Sequence, residues 1–232
     1  MIGIGILCFG DLTYFENTAS KVNRILDEGF IPYILTDDVD YFEKRYSSNF
    51  VNVIPYLKSY KSFHDKLILV KHMMRYHDIS IILDADAEIL DWSFLRDLKS
   101  FNYKYGITYL ENLKRHHEGK ERVKDVVVDH GEWNSYKRFI EKIYPFYGEN
   151  ETIWEYLLIF NKLGFNYNRF FNFYEKLQLC KDFSDLEYGK LVNGAGEGIS
   201  IMSSANLSGT DIQKDNELFN LIKDKINPSK QP

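Results

Sequence analysis

The sequence predicts an α/β fold: a mostly parallel sheet flanked by helices, with a more helical C-terminal half. Three observations carry this expectation. Strand-like and helix-like segments alternate through the first hundred residues, two of the strands end in acidic pairs ("LTDD" and "LDAD"), and the alternation loosens after "WSFLRDL".

"IGIGILCF" reads as the first strand. Phe15, Ala19, Val22 and Leu26 then recur at i, i+4, i+7 and i+11, which is one face of a helix that stops at Gly29. "IPYILTDD" is a second strand and "FVNVI" a short third. Phe63, Leu67, Val70 and Met74 repeat the helical spacing before the strand "ISIILDAD". The layout is βαβαβ-like. Further on, "KYGITYL" reads as a strand, and "ENLKRHHEGKERVKD" as an exposed charged helix or loop. "NSYKRFIEKIYPFYG", "ETIWEYLLIFNKLG" and "FNFYEKLQLC" read as helices. "GKLVNGAGEGISIMSSANLSG" is a glycine-rich turn into a small-residue helix, and "DIQKDNELFNLIKDKI" a final amphipathic helix before a polar, proline-containing tail. No internal repeat and no Pro-, Gly- and Ser-rich linker divides the chain. Residues 1–232 therefore read as a single domain with halves 1–100 and 101–226 and a tail at 227–232.

The composition narrows the function. Apolar (44%) and charged (27%) fractions are ordinary for a folded protein of 232 residues, but 16% aromatic, with 17 Tyr and 17 Phe, suggests a well-filled core and platforms for ring-shaped ligands. A net charge of -5 argues against general nucleic-acid binding, which rests on excess Lys and Arg. Cys8 and Cys180 are far apart, as fits a reduced compartment and neither a disulfide framework nor a zinc site. The start "MIGIGILCFG" lacks a basic leader, and no apolar run is long enough to span a bilayer. The expectation is a cytoplasmic protein, free or at the inner face of the membrane, with no transmembrane segment.

Residues two apart in a strand point to one side, so Asp84 and Asp86 can converge on one object just beyond the sheet. Two carboxylates so placed repel unless a cation lies beside them. Oxygen ligands at the carboxyl end of a strand suit Mg²⁺ or Mn²⁺, which keeps positions for water and substrate phosphates. Ligands bind at that same edge in open α/β sheets. D-x-D alone is a weak signal, since a pair of solvated turn acids has the same spelling.

The order "IGIGILCF", "LTDD", "KSFHDKLILVKHMM" and "ISIILDAD" resembles the glycosyltransferases of the GT-A fold, which use nucleotide-diphosphate sugars. It is similar in style to the small galactosyl- and glucosyltransferases in which a basic residue on a helix precedes a "YLDAD"-like strand. The resemblance covers residues 1 to about 100. It implies that residues 1–100 bind the donor and 101–226 the acceptor. Asp86 would coordinate the metal on the diphosphate, and Asp84 the metal or the donor ribose, with Ala85 between them in the donor site. Cys8 and Phe9 would border the base. Asp37 or Asp38 would hydrogen-bond base or ribose, or else cap the following helix. Lys66 lies roughly 70° from the centre of its helix's apolar stripe, which lets it reach inward towards phosphate or lie on the solvated flank.

Many members of this fold complete the metal site with a late histidine, whereas this chain has none after His130. A third ligand would be His130, Asn193, Glu197 or Asp211, or else water. The segment "ETIWEYLLIF" is apolar over most of its circumference, so Glu155 needs a partner or a purpose there. Glu151 and Glu155 are four apart. Either is an exposed carboxylate, or one acts as general base on the acceptor or stabilises an oxocarbenium-like centre. Trp154 and Trp133 are platform or core residues. Glu197, among the glycines of "NGAGEGIS", is an acceptor- or metal-binding candidate, or a plain acid at a helix start. Gly3, Gly5 and Gly10 do not spell a G-x-G-x-x-G fingerprint.

The expected function is metal-dependent transfer of a hexose from a nucleotide-diphosphate sugar, by resemblance a UDP-hexose, to a glycan or glycolipid acceptor in surface polysaccharide or lipopolysaccharide synthesis. The rivals are a Mg²⁺-dependent phosphohydrolase, a sugar nucleotidyltransferase, and a non-catalytic carbohydrate- or nucleotide-binding module. The first would carry D-x-D on its first strand, the second an early Gly- and Arg-rich loop, and the third has no need of positioned Glu155 or Glu197.

Overall fold

The computed structural model describes residues 1–46, 50–56, 65–109, 157–179, 201, 204–214 and 216–227. The chain opens with β1 (Ile2–Cys8), α1 (Leu12–Asp27), β2 (Ile31–Thr36), α2 (Val39–Tyr46), β3 (Asn52–Pro55), α3 (Lys66–Met73) and β4 (Ile79–Asp84). It continues through β5 (Glu88–Ile89), α4 (Phe94–Ser100), β6 (Ile107–Tyr109), β7 (Leu157–Asn161), α5 (Tyr167–Leu179), β8 (Ile212–Lys214), α6 (Asn216–Ile222) and β9 (Ile226–Asn227).

Seven strands form one sheet in the order β3-β2-β1-β4-β7-β6-β8, and β5 pairs with β9 in a small second sheet. The first four are parallel, β7 runs antiparallel between β4 and β6, and β8 is parallel to β6. The parallel β1, β2 and β4 are covered on both faces, so they read as continuous apolar runs. Ile4, Ile6, Ile81, Leu83, Leu157 and Ile159 pack with α1, α2, α4 and α6. Leu7, Leu35, Ile82, Leu158 and Phe160 pack with α3 and α5 on the other face. That alternation is the two-residue period of a strand.

Local chemistry sets the element ends. The Asp11 carboxylate caps α1, accepting from the backbone N–H of Thr13 (2.9 Å) and Tyr14 (3.3 Å). Gly29, at φ 76, supplies the left-handed residue that ends the helix and starts β2. Gly5 lets α3 lie close on β1: a Cβ there would stand 2.9 Å from the Met73 methyl carbon and 3.0 Å from Ile82 Cδ1.

Two expected helices are corrected. Within "ETIWEYLLIFNKLG", residues Leu157–Asn161 form strand β7, buried along its whole length in the middle of the sheet. A short run that is apolar all round carries no period to separate buried helix from buried strand, and pairing to β4 and β6 decides for strand. The expected final helix "DIQKDNELFNLIKDKI" is instead β8, the seven-residue α6 and a turn into β9. Among the described residues no helix is long and apolar enough to cross a membrane.

Candidate active site

Register brings the carboxyl ends of β1, β2, β3 and β4 to one edge of the sheet. Cys8 is level with Thr36, Thr36 with Pro55, and Leu7 with Asp84. Phe9, Asp37, Tyr56 and the turn Ala85–Asp86 therefore follow side by side. Leu157 opens β7 at this edge, opposite Leu83, and Tyr109 and Lys214 close β6 and β8 there.

At the β1–β2–β3 end the Phe9 and Tyr56 rings lie 4.7 Å apart, centroid to centroid. The Tyr56 hydroxyl donates to Oδ2 of Asp65 at 2.5 Å, and Asp65, immediately before Lys66, is fully buried. Burial, and then the bond to Asp65, push the Tyr56 phenol far above its ordinary value. Asp37 is exposed, whereas Asp38 caps α2: its Oδ1 accepts from Tyr41 N–H at 3.0 Å. Cys8 faces the core rather than the edge, its thiol directed at the Tyr14 carbonyl. Burial pushes that thiol up to about 11.

The acidic turn is built differently. Lys66 is buried at the first residue of α3, and its Nζ lies 2.5 Å from Oδ1 of Asp84, whose side chain is 21% exposed. Lys21, on the buried face of α1, donates to the carbonyl oxygen of Ala85. Burial pushes the Asp84 carboxyl above its ordinary value and Asp86 adds to this, while Lys66 and Lys21 pull the other way. Burial draws the Lys21 ammonium down, against the pull of Asp86 and Asp84. Asp86 is exposed, with no hydrogen bond or ion pair among the described residues. It is an available oxygen donor beside a second carboxylate held by a lysine.

That donor set fits a hard divalent cation that takes its remaining ligands from water and a bound diphosphate. It falls short of an all-protein cage: among the described residues no group of three or more His, Cys, Asp or Glu could hold a metal. Asp211 is removed from the third-ligand candidates. It precedes β8 at the opposite edge, accepting from Ile107 N–H on its carbonyl at 2.8 Å and from the Gln213 side chain at 3.1 Å. Through the register Asp211 is level with Ile79, the far end of β4 from Asp84, so roughly 17 Å of strand separates them. His130, Trp133, Glu151, Trp154, Glu155, Asn193 and Glu197 lie outside the described residues. The sequence patterns above single out none of Lys21, Tyr56 and Asp65. A signal for Lys21 was present, since it falls at helical spacing from the buried Thr18 and Ile25.

The fold recurs in solved structures. An active-site mutant of LgtC matches over 99% of this chain and 88% of its own, at a TM-score of 0.52 and 9% sequence identity. The fold is GT-A. The glycosyltransferase GlyE of Streptococcus pneumoniae TIGR4 matches at a TM-score of 0.50 and 12% identity over 94% of this chain. The chain spans only 46% of the GlyE structure. The bifunctional WbbM structure matches at 0.50 and 10% identity, over 92% of this chain and 38% of its own. No protein-family model matches the sequence, and no curated protein matches it significantly. Asp84 and Asp86 stand at the carboxyl edge of the parallel strands, the edge at which open α/β sheets in general take their ligands.

Proposed function

We propose that this protein is a glycosyltransferase that moves a hexose from a nucleotide-diphosphate sugar to a glycan or glycolipid. The observation that carries the reading is Asp86: an exposed carboxylate with no hydrogen bond or ion pair among the described residues, next to Asp84 at the carboxyl edge of a GT-A sheet. The donor as a UDP-hexose, and a role in surface polysaccharide or lipopolysaccharide synthesis, rest on the sequence resemblance.

Asp86 and Asp84 would hold a Mn²⁺ or Mg²⁺ ion, which when bound neutralises the leaving diphosphate. Phe9, Tyr56 and Asp37 border the space for base and ribose. Lys66 fixes the Asp84 carboxylate and keeps a positive charge at the phosphate end. Glu155 remains the proposed acid-base or charge-stabilising group, with Glu151 and Glu197 as alternatives. In sequence Glu155 stands two residues before Leu157, which is paired with Leu83 beside Asp84.

A thermal-shift series with UDP, UDP-glucose and UDP-galactose, with and without Mn²⁺, tests the reading, because a ligand of the folded state raises its stability by linkage. UDP with Mn²⁺ should raise Tm, and Asp86→Asn should remove the Mn²⁺-dependent part while leaving the unliganded Tm within about 2 °C of wild type, as for an exposed surface side chain. No shift with any nucleotide sugar, in either metal condition, would overturn the proposal.

A further inference from the structure

The acidic turn holds a second ammonium group to which the proposed chemistry gives no task. Lys21 lies in the middle of α1, 8% exposed, among Thr18, Val22 and Ile25 on the face that packs on the sheet. A lysine on such a face ordinarily lays its stem on the apolar surface and returns its head to water. Lys21 turns inward instead, and its Nζ donates to the carbonyl of Ala85, the residue between the two acids. Burying an ammonium group is costly unless bonds and opposite charge compensate. Both are present, because Asp86 and Asp84 act on Lys21 electrostatically. With Lys66 on Asp84, the turn holds two carboxylates against two ammonium groups.

We propose that Lys21 is a positioning residue and internal counterion of the D-x-D turn: it anchors the Ala85 carbonyl and balances the acid pair until a divalent cation and a diphosphate enter together. This rests on the reading of Asp84 and Asp86 as the cation site. Its consequence is specific to the ligand-free protein. A balanced turn attracts a free cation weakly, whereas a diphosphate brings the negative charge that draws the cation in. Lys21 also ties α1, which follows the β1 end of the site, to the turn after β4.

The test titrates Mn²⁺ into nucleotide-free protein and follows free Mn²⁺ by electron paramagnetic resonance, with Tm recorded on each preparation. Lys21→Gln keeps a donor but removes the charge, Lys21→Met keeps the apolar stem and removes both, and Lys21→Arg keeps the charge. Both neutral variants should bind Mn²⁺ about tenfold more tightly than wild type, the scale of one unit charge removed nearby in a partly buried site. Lys21→Arg should match wild type. Should one neutral variant fail to fold, the other makes the same measurement. Neutral variants that bind Mn²⁺ as wild type does would overturn the counterion while leaving the cation site standing. Binding undiminished by Asp86→Asn, or absent from wild type and every variant, would overturn the cation site and the counterion with it.

Discussion

The ammonium nitrogen of Lys66 lies 2.5 Å from Oδ1 of Asp84, joining the first residue of α3 to the last residue of β4. Lys66 is almost wholly buried and Asp84 only partly so, so the pair straddles the boundary between core and site. Such a pair adds little net stability, but removing one partner exposes the cost of the other. Its value lies in orientation, since it holds one carboxylate of the turn in place while Asp86 stays open to solvent.

Lys66→Met should therefore destabilise the fold by about 1–3 kcal/mol, less than for a fully buried pair because water reaches Asp84. The loss should depend on pH. Asp84 already titrates above its ordinary value through burial, and losing Lys66 raises it further. A raised carboxyl contributes stability below the unfolded value, near pH 4, and loses it as pH rises through the folded value. The Tm deficit of Lys66→Met should grow from pH 5 to pH 8. Equal deficits at both would detach the stability loss from Asp84.

The limits of sequence reading are visible in individual residues. β1, α1, β2, β3, α3 and β4 were legible because each carries its own period, cap or turn residue, and Asp84 and Asp86 because a polar pair ends an apolar strand. β7 was not. Leu157 to Asn161 become strand through pairing with Leu83 to Ile79, some eighty residues earlier, and no local period records a long-range partner. α6 is shorter than the sequence stripe for a related reason: Ile212 and Ile226 fit a helical stripe, yet each belongs to a strand pairing with a distant segment. Lys21 was missed because counting apolar positions passes over a lysine whose ammonium group turns inward. Asp37 and Asp38 had two available roles, and the hydrogen bond to Tyr41 gives Asp38 the capping one.

Cys8 should resist alkylation. In a Cys180→Ser background at pH 8, a thiol at about 11 is thiolate in about one molecule per thousand, and the group is 1% exposed. Iodoacetamide labelling should run more than about a hundredfold slower than for a free cysteine and accelerate only as urea unfolds the protein. By linkage, Cys8 favours the fold below its unfolded value, near pH 8.5, and this contribution disappears as pH rises through about 11. Labelling as fast as a model thiol would place Cys8 at the surface.

Gly106→Ala separates stability from the site. A Cβ at Gly106 would stand 2.7 Å from the carbonyl carbon of Gly164 and 3.1 Å from the carbonyl oxygen of Asp211, both backbone, where β6, β7 and β8 meet. Backbone cannot yield as a side chain can, so the loss should be about 2–4 kcal/mol in urea unfolding. UDP affinity of the folded fraction should be unchanged, because the junction is at the edge opposite Asp84. A fall in UDP affinity without a fall in stability would contradict this placement.

The Phe9–Tyr56 pair gives the last prediction, which separates a ring from a hydroxyl. The two rings close the β1–β3 end of the site, and the Tyr56 hydroxyl donates to the fully buried Asp65 at the start of α3. Tyr56→Phe keeps the ring and takes a donor from a buried carboxylate, which should cost about 1–3 kcal/mol of stability. UDP affinity should stay within about twofold, since a ring face stacks on a base without its hydroxyl. Tyr56→Ala removes both, and UDP affinity should fall by about fivefold or more, the lower end of base–aromatic stacking. If Phe weakens UDP as much as Ala does, the hydroxyl acts by holding Asp65, and through it the neighbouring Lys66 that grips Asp84. If neither variant changes UDP affinity, the ring pair is core packing and the base binds elsewhere along the edge. Calorimetric UDP titrations on both variants, at a temperature where each is folded, distinguish the three.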